Sequence, residues 1–347
     1  MATLHKPALF LPEYVVTYED TMAYAQTEFK DSPNLAKAVK LVTNAGVKKR
    51  HFIQPMELTT KHPGFGYRNT VFEYESKKHV PGVVEEAIRN SGLTPKDISA
   101  VIYVSCSGFL MPSLTAWLIN KMGFGHDTVQ IPISQLGCAA GGSAINRAHD
   151  FIVAKPGSNV LIVSCEFCSL SYQPSDSDIG SLLSDGLFGD AITAAVMTSE
   201  DGNGLTLKKN ASYIIPETDE WIRYDVKNTG FHFRLDKRVP GTMRPLAPVM
   251  KDFAASYGWD ISKLDHYIIH AGGPRILDDL CKYLGVEMEK FEYSRSTLID
   301  CGNIASSVVL ETYRRMFEQN LFNNGDTATI AGFGPGITAE ICLNVKS

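Results

Sequence analysis

Three side chains in this sequence could share one reaction: the thiol of Cys138, the imidazole of His270 and the carboxamide of Asn303. Cys138 stands in QLGCAAGGSA, after a probable strand and at the start of a helical pattern, where unsatisfied N–H groups and the helix dipole favour a thiolate. The flanking Gly137, Ala139, Ala140, Gly141 and Gly142 would leave room for an acyl group and for donors to an oxyanion. The same small residues would also suit a helix packed tightly on a neighbour, and the spacing alone does not separate these uses. His270 ends the apolar run HYIIH and precedes Ala-Gly-Gly, the place where a strand delivers a side chain into a cleft. An imidazole there could activate a thiol. Asn303, in CGNIASS, could donate to a developing oxyanion or cap the helix that follows. Two donors aimed at one carbonyl oxygen would suit decarboxylation of a malonyl thioester, with the carbanion then condensing; loss of carbon dioxide forms that carbanion without a general base.

Other motifs give less. In GFGPG (Gly332 to Gly336) the residue at 337 is Ile and Pro335 interrupts the turn, so a dinucleotide fingerprint is disfavoured and a tight wall loop is the better reading. Cys165-Glu166-Phe167-Cys168 has no second pair at zinc spacing, and no metal site is expected. The sequence has no P-loop, no G-x-S-x-G elbow and no H-E-x-x-H.

The elements that must position the three residues repeat. Strand patterns at 100–106, 128–133 and 158–165 are separated by helical patterns at 113–122 and 139–153. The second half shows strands at 266–270, around 291–294 and at 327–331, with helices at 275–284 and 305–319. From Cys106 to Cys138 to Cys165 the intervals are 32 and 27; from His270 to Asn303 to Ala331 they are 33 and 28. Near-equal intervals imply an internal duplication, and strands buried on both faces imply an α/β layered fold. The turns at Cys138 and Asn303 would then meet near a pseudo-twofold axis. Residues 1–200 form the first half and 201–347 the second. The more charged stretch of about 200–262 reads as an inserted connection that walls or lids the site.

The 347 residues are 44% hydrophobic and 20% charged, with a formal charge of −5, which argues against a nucleic-acid surface. No apolar run reaches the roughly 18 residues of a membrane span. The N-terminal MATLHKPALFLPEYVV, broken by Pro7 and Pro12, lacks the pattern of a signal peptide. Seven cysteines without disulfide-scaffold density suit a reducing compartment, so a cytoplasmic location is expected.

QLGCAAGG, HAGGP, GNIASS and GFGPGITAE together resemble the type III polyketide synthases, the chalcone synthase-like branch of the thiolase superfamily, over essentially the whole chain. The segments YVSCSGFLMPSLTAWLIN, FCSLSYQP and YDVKNTGFHF bring it nearest to the bacterial naphthol-forming members. The resemblance implies a thiolase-like fold of five layers, αβαβα, and a homodimer. It also implies malonyl-CoA as primer and extender, with no cofactor and no acyl carrier protein, and a pentaketide cyclised to a naphthalene tetrol.

The resemblance also assigns residues. Cys138 would carry the chain as a thioester, while His270 and Asn303 stabilise the thioester carbonyl and His270 keeps Cys138 ionised. Phe188 and Phe233 match the gatekeepers between the CoA tunnel and the cavity. Lys37 and Lys40 match basic CoA contacts, whereas Asn44 replaces a third basic residue. Cys106 stands where naphthol-forming members carry a second cysteine. Tyr224 would fill the starter pocket, and Cys168, Ser171 and Ala305 match cavity-lining positions, with Ser171 replacing an expected cysteine. Met111 matches a residue that reaches into the partner's cavity. Alternatives are a type III synthase taking an acyl-CoA starter to a pyrone or resorcinol, a ketoacyl-carrier-protein synthase III-like enzyme, and a non-catalytic thiolase-fold scaffold.

Overall fold

A strand buried on both faces alternates between two cores, and Ala100–Val104 does so residue by residue. Ala100, Ile102 and Val104 enter one hydrophobic cluster, while Val101 and Tyr103 enter another. In the computed structural model, which describes residues 1–61 and 63–347, this strand pairs in parallel with Val129–Ile133 and with Asn159–Phe167. Asn159–Phe167 then pairs antiparallel with Asp190–Thr198. The second half repeats the scheme, His266–Ile269 running parallel to Thr327–Gly334 and the chain returning antiparallel as Thr338–Lys346. Thr3–His5 lies antiparallel between Asp190–Thr198 and Gly204–Ile214 and joins the halves into one sheet.

Three cores separate five layers. Phe72, Val80 and Val84 of helix Phe65–Asn90 cover the outer face of the first half, with Leu114 and Leu118 of Leu114–Lys121. Met243–Ala255 and Pro274–Leu284 cover the outer face of the second. Between the halves lie Ala140–Ala154 and Val308–Glu318, sharing one core with residues of both half-sheets, among them Ile102, Ile162, Ile268 and Ile330. The thiolase-like arrangement follows.

Two expectations are corrected. The second half has no strand at 291–294; that segment enters the helix Glu292–Cys301, so the repeat lacks the counterpart of Val129–Ile133. Nor is 200–262 purely a wall. Gly204–Ile214 is a strand of the main sheet, and Met243–Ala255 buries Met243, Leu246 and Met250 in the core. Only its middle, the hairpin of Ile222–Lys227 and Gly230–Leu235, stands apart as a two-stranded sheet.

The small residues after Cys138 serve this packing. A Cβ on Gly141 would lie 2.1 Å from the Ser306 carbonyl oxygen, and one on Gly142 would press on Glu340 at 3.0 Å. Helix Ala140–Ala154 therefore meets the turn before Val308–Glu318 nearly backbone to backbone at Gly141, and lies as close to the strand Thr338–Lys346 at Gly142. Gly141→Ala is expected to destabilise the protein by about 1–3 kcal/mol through overpacking. Gly66→Ala, at a helical position with open space, should leave the thermal midpoint unchanged or slightly raised. Thermal unfolding of the two variants checks the contrast.

Candidate active site

Cys138 occupies the single 3₁₀ turn Gly137–Ala139, which runs straight into Ala140–Ala154. Gly137 holds φ at 49°, a left-handed value, while the loop residue Pro335 sits where its Cβ would be, at 2.9 Å. His270 follows strand His266–Ile269, and its N–H donates to the Ala331 carbonyl at 2.9 Å. Asn303 follows helix Glu292–Cys301. Its N–H donates to the Leu187 carbonyl at 2.8 Å and its carbonyl accepts from the Gly189 N–H at 3.1 Å. That parallel bridge ties Asn303 to Phe188.

The duplication thus brings the three residues together. Asn303 Nδ2 lies 3.9 Å from Cys138 Sγ, and Asn303 Oδ1 lies 3.3 Å from His270 Nε2. The Ala305 N–H fixes the amide, donating to Oδ1 at 3.0 Å from a residue held at φ 48°. The other ring nitrogen, Nδ1, is buried without a partner, so Nε2 is the nitrogen that faces Asn303. Burial pushes the Cys138 thiol up to about 12, with the Glu166 carboxylate adding to the rise. Burial pushes the His270 imidazole down to about 4. Burial thus disfavours charge on each group taken alone. Asn303 acts on both in the opposite direction, lowering the thiol and raising the imidazole, and so favours passage of the proton from sulfur to nitrogen.

Cys106 and Cys168 lie beside this centre, and their thiols are pushed up by burial and then by Glu166. Glu166, fully buried at the end of Asn159–Phe167, accepts from the Cys106 N–H at 3.1 Å, from Ser107 Oγ at 2.9 Å and from Ser306 Oγ. Its pKa is raised by burial, and these donors oppose the rise. No role was expected for Glu166, although a carboxylate in a strand buried on both faces is itself a signal.

An aromatic wall closes the approach. Phe188 and Phe233 meet edge to face at 5.4 Å, and Tyr224, opposite Phe233 in the hairpin, lies 6.0 Å from it. Beyond the wall is a cleft of about 90 Å³, open to solvent. Cys168, Ser171, Phe188, Tyr224 and Phe233 line it; Cys138, His270, Asn303, Cys106 and Ala305 do not. Arg50, also not anticipated, is buried in the wall and donates to the carbonyls of Asp185 and Phe188 and to Thr21 Oγ1. Lys37 and Lys40 are exposed on helix Leu35–Ala45, whose Ala38 and Val42 face into the cleft; Asn44 is exposed as well. Met111 is 88% exposed, away from the cleft. Among the described residues no three His, Cys, Asp or Glu side chains are grouped to hold a metal ion, and no helix is long and apolar enough to cross a membrane.

Comparison with known proteins places this geometry. Residues 3–201 match the N-terminal domain of the chalcone and stilbene synthases, and residues 206–347 match their C-terminal domain. The chain is 57% identical to the 1,3,6,8-tetrahydroxynaphthalene synthase of Streptomyces coelicolor over 343 residues, covering 99% of this chain and 92% of that protein. It is 42% identical to the phloroglucinol synthase of Pseudomonas fluorescens, covering 99% of each. The crystal structure of the Streptomyces coelicolor A3(2) tetrahydroxynaphthalene synthase superposes with a TM-score of 0.98 at 56% identity, covering 99% of both chains. Germicidin synthase from Streptomyces coelicolor shares the fold, with a TM-score of 0.87 at 23% identity over 99% of each chain.

Asn303→Ala removes the group that lowers the Cys138 thiol, so alkylation of Cys138 by iodoacetamide at pH 8 is expected to be slower than in the wild type. Loss of one oxyanion donor should also cost about 10²–10³ in malonyl-CoA decarboxylation. Mass-spectrometric labelling rates and acetyl-CoA formation check the two effects separately.

Proposed function

This chain belongs to the chalcone and stilbene synthase family of type III polyketide synthases, and from that membership we propose that it converts malonyl-CoA alone into 1,3,6,8-tetrahydroxynaphthalene. The observation that carries the chemistry is the Asn303 amide, set between the Cys138 sulfur and the His270 ring.

Loading begins when Cys138 passes its proton to His270 and attacks the thioester carbonyl. The CoA thiolate leaves and takes the proton back. A second malonyl-CoA then places its thioester oxygen on Nε2–H of His270 and Nδ2–H of Asn303. These donors stabilise the enolate formed as the carboxylate leaves as carbon dioxide, and the apolar faces of Phe188 and Phe233 favour neutral carbon dioxide over the charged carboxylate. The enolate carbon attacks the Cys138 thioester, expelling the sulfur and leaving a chain two carbons longer on CoA, ready to reload. Four extensions of a malonyl primer give the pentaketide, which cyclises to the tetrol as the primer carboxyl leaves as carbon dioxide, one water is lost and the thioester releases its thiol; air oxidation yields flaviolin.

Tyr224 supports the small primer. Its ring packs on Phe231 and Phe233 and lines the cleft with Cys168, space that a bulky aromatic starter would need. The remaining parts of the reading are that Lys37 and Lys40 meet the CoA phosphates, that Cys106 lines the growing chain, and that neither cofactor nor carrier protein is required. The working unit is a homodimer in the cytoplasm. Val129–Ile133 ends the main sheet, and the nearby Phe109 and Met111 are exposed; a second copy would cover them and seat Met111 in its partner's cavity.

One observation favours a second reading, a synthase taking an acyl-CoA starter to a pyrone or resorcinol. The cleft beyond the wall is lined in part by Phe29, Leu35, Ala38 and Val42, an apolar surface suited to an acyl tail.

Purified protein given malonyl-CoA alone should yield tetrahydroxynaphthalene and flaviolin by mass spectrometry, and Cys138→Ala should yield no polyketide. Phloroglucinol or triacetic lactone as the sole product would overturn the product assignment, and polyketide from the Cys138 variant would overturn the nucleophile. In competition, malonyl-CoA should outrun hexanoyl-CoA as primer in the wild type, and Tyr224→Gly should shift the balance toward hexanoyl.

A further inference from the structure

The wall residues Tyr224 and Phe233 ride on the hairpin Ile222–Leu235, which has no partner strand in the main sheet. Something other than sheet pairing must set its height over Cys138. A polar buckle connects it to the segment 173–181. His232, 2% exposed, places Nδ1 at 2.8 Å from Asp176 Oδ2 and Nε2 at 2.6 Å from Thr229 Oγ1. With both ring nitrogens engaged, the imidazole donates to the carboxylate and accepts from the hydroxyl. Arg234 Nη1 donates to the same Asp176 oxygen at 3.1 Å and to Asp178 at 2.9 Å, while its Nε donates to Asp225 on the facing strand at 2.9 Å. Gln173 Nε2 donates to the carbonyls of Thr229 and Phe231.

The segment so joined leads straight to the opposite gate. Asp178 caps helix Ile179–Leu187, accepting from the Gly180 and Ser181 N–H groups, and Phe188 follows the last residue of that helix. The two gate phenylalanines are therefore linked twice, directly through their rings at 5.4 Å and indirectly through Asp176, His232 and Arg234. A buried, directional hydrogen bond to a charged group fixes geometry where apolar contacts would allow sliding.

We propose that His232, held between Asp176 and Thr229, is a positioning residue that sets the height of the Tyr224–Phe233 wall over Cys138 and thereby the chain length at which the polyketide is released. The proposal rests on the polyketide synthase reading above, since chain length has meaning only for such a product. Loss of the buckle would let the hairpin rise or slide by a fraction of a strand spacing. The loading chemistry at Cys138, on the other half of the fold, would persist.

The test compares wild type, His232→Ala, His232→Asn and Thr229→Val with malonyl-CoA as sole substrate, scoring pentaketide against shorter lactones. In His232→Ala the ratio should fall by roughly tenfold, with malonyl-CoA consumption within about twofold of wild type. His232→Asn, whose amide can still donate to Asp176, should restore most of the ratio. Thr229→Val, altered at an exposed turn, should give an intermediate value. Thermal melts report folding; if His232→Ala does not fold, His232→Asn and Thr229→Val decide. An unchanged ratio in His232→Ala, or in Thr229→Val where His232→Ala does not fold, or consumption falling in parallel with pentaketide, would overturn the proposal. Wild-type protein that makes no pentaketide counts against the reading of function, while any shift in its own product ratio on changing His232 still scores the buckle.

Discussion

The approach of two helices at backbone distance is the constraint on which the rest depends. Ala140–Ala154 can lie against the turn before Val308–Glu318 only because residue 141 has no Cβ to strike the Ser306 carbonyl. That contact brings together the ends of two polypeptide halves that share no local sequence. Cys138, two residues before helix Ala140–Ala154 begins, and Asn303, ahead of the turn before its counterpart, are carried into reach by the same closeness. A methyl group of separation would move an amide already 3.9 Å from the sulfur out of useful range.

Burial at such an interface has an electrostatic consequence. It disfavours the thiolate and the imidazolium separately, since each would be an isolated charge away from water. The arrangement that relieves both is a shared one, in which the proton moves between them while Asn303 contacts each. Glu166 sharpens this balance. Its carboxylate is held by Cys106, Ser107 and Ser306 and not by a cation, so its field reaches Cys138 and resists negative charge there. A developing anion must therefore be met by the two donors aimed at it.

Much of this was legible in the sequence, for reasons that differ by residue. The equal intervals around Cys138 and Asn303 reported the duplication because strand, turn and helix lengths are fixed by layer thickness. The strand Ala100–Val104 was visible because burial on both faces leaves an unbroken apolar run, and the helix Ala140–Ala154 because its apolar residues recur at helical spacing. The segment at 291 misled because Phe291, Tyr293 and neighbouring polar residues alternate like a strand, whereas tertiary packing of Phe291 and Leu298 selects a helix. Gly204–Ile214 was read as a connection because half of it is polar; it earns its place in the sheet through backbone pairing with Thr338–Lys346. The glycines around Cys138 left two uses open in the sequence, and the facing Ser306 carbonyl shows Gly141 in the packing one. Arg50 and Glu166 left no pattern beyond charge in an apolar setting, because their partners are distant backbone and hydroxyl groups.

The division between rigid and adjustable parts follows from where the hydrogen bonds go. The reaction centre is built at the ends of main-sheet elements and of the helices packed between its halves, and backbone hydrogen bonds hold His270 to Ala331 and Asn303 to Leu187 and Gly189. The wall in front of it is built from a two-stranded hairpin and a helix end, joined by side-chain bonds to Asp176, Asp178 and Arg50. Backbone ladders are shared by all sequences of a fold, whereas side-chain bonds change with single substitutions. A family built this way can keep its carbon–carbon bond-forming step fixed while product size drifts, because the residues that locate Phe188, Phe233 and Tyr224 are not those that locate Cys138, His270 and Asn303. One exception couples the two sets: the parallel bridge between Phe188 and Asn303. Through it the position of one gate residue is fixed by the reaction centre, which leaves the opposite side, the hairpin, as the part free to vary.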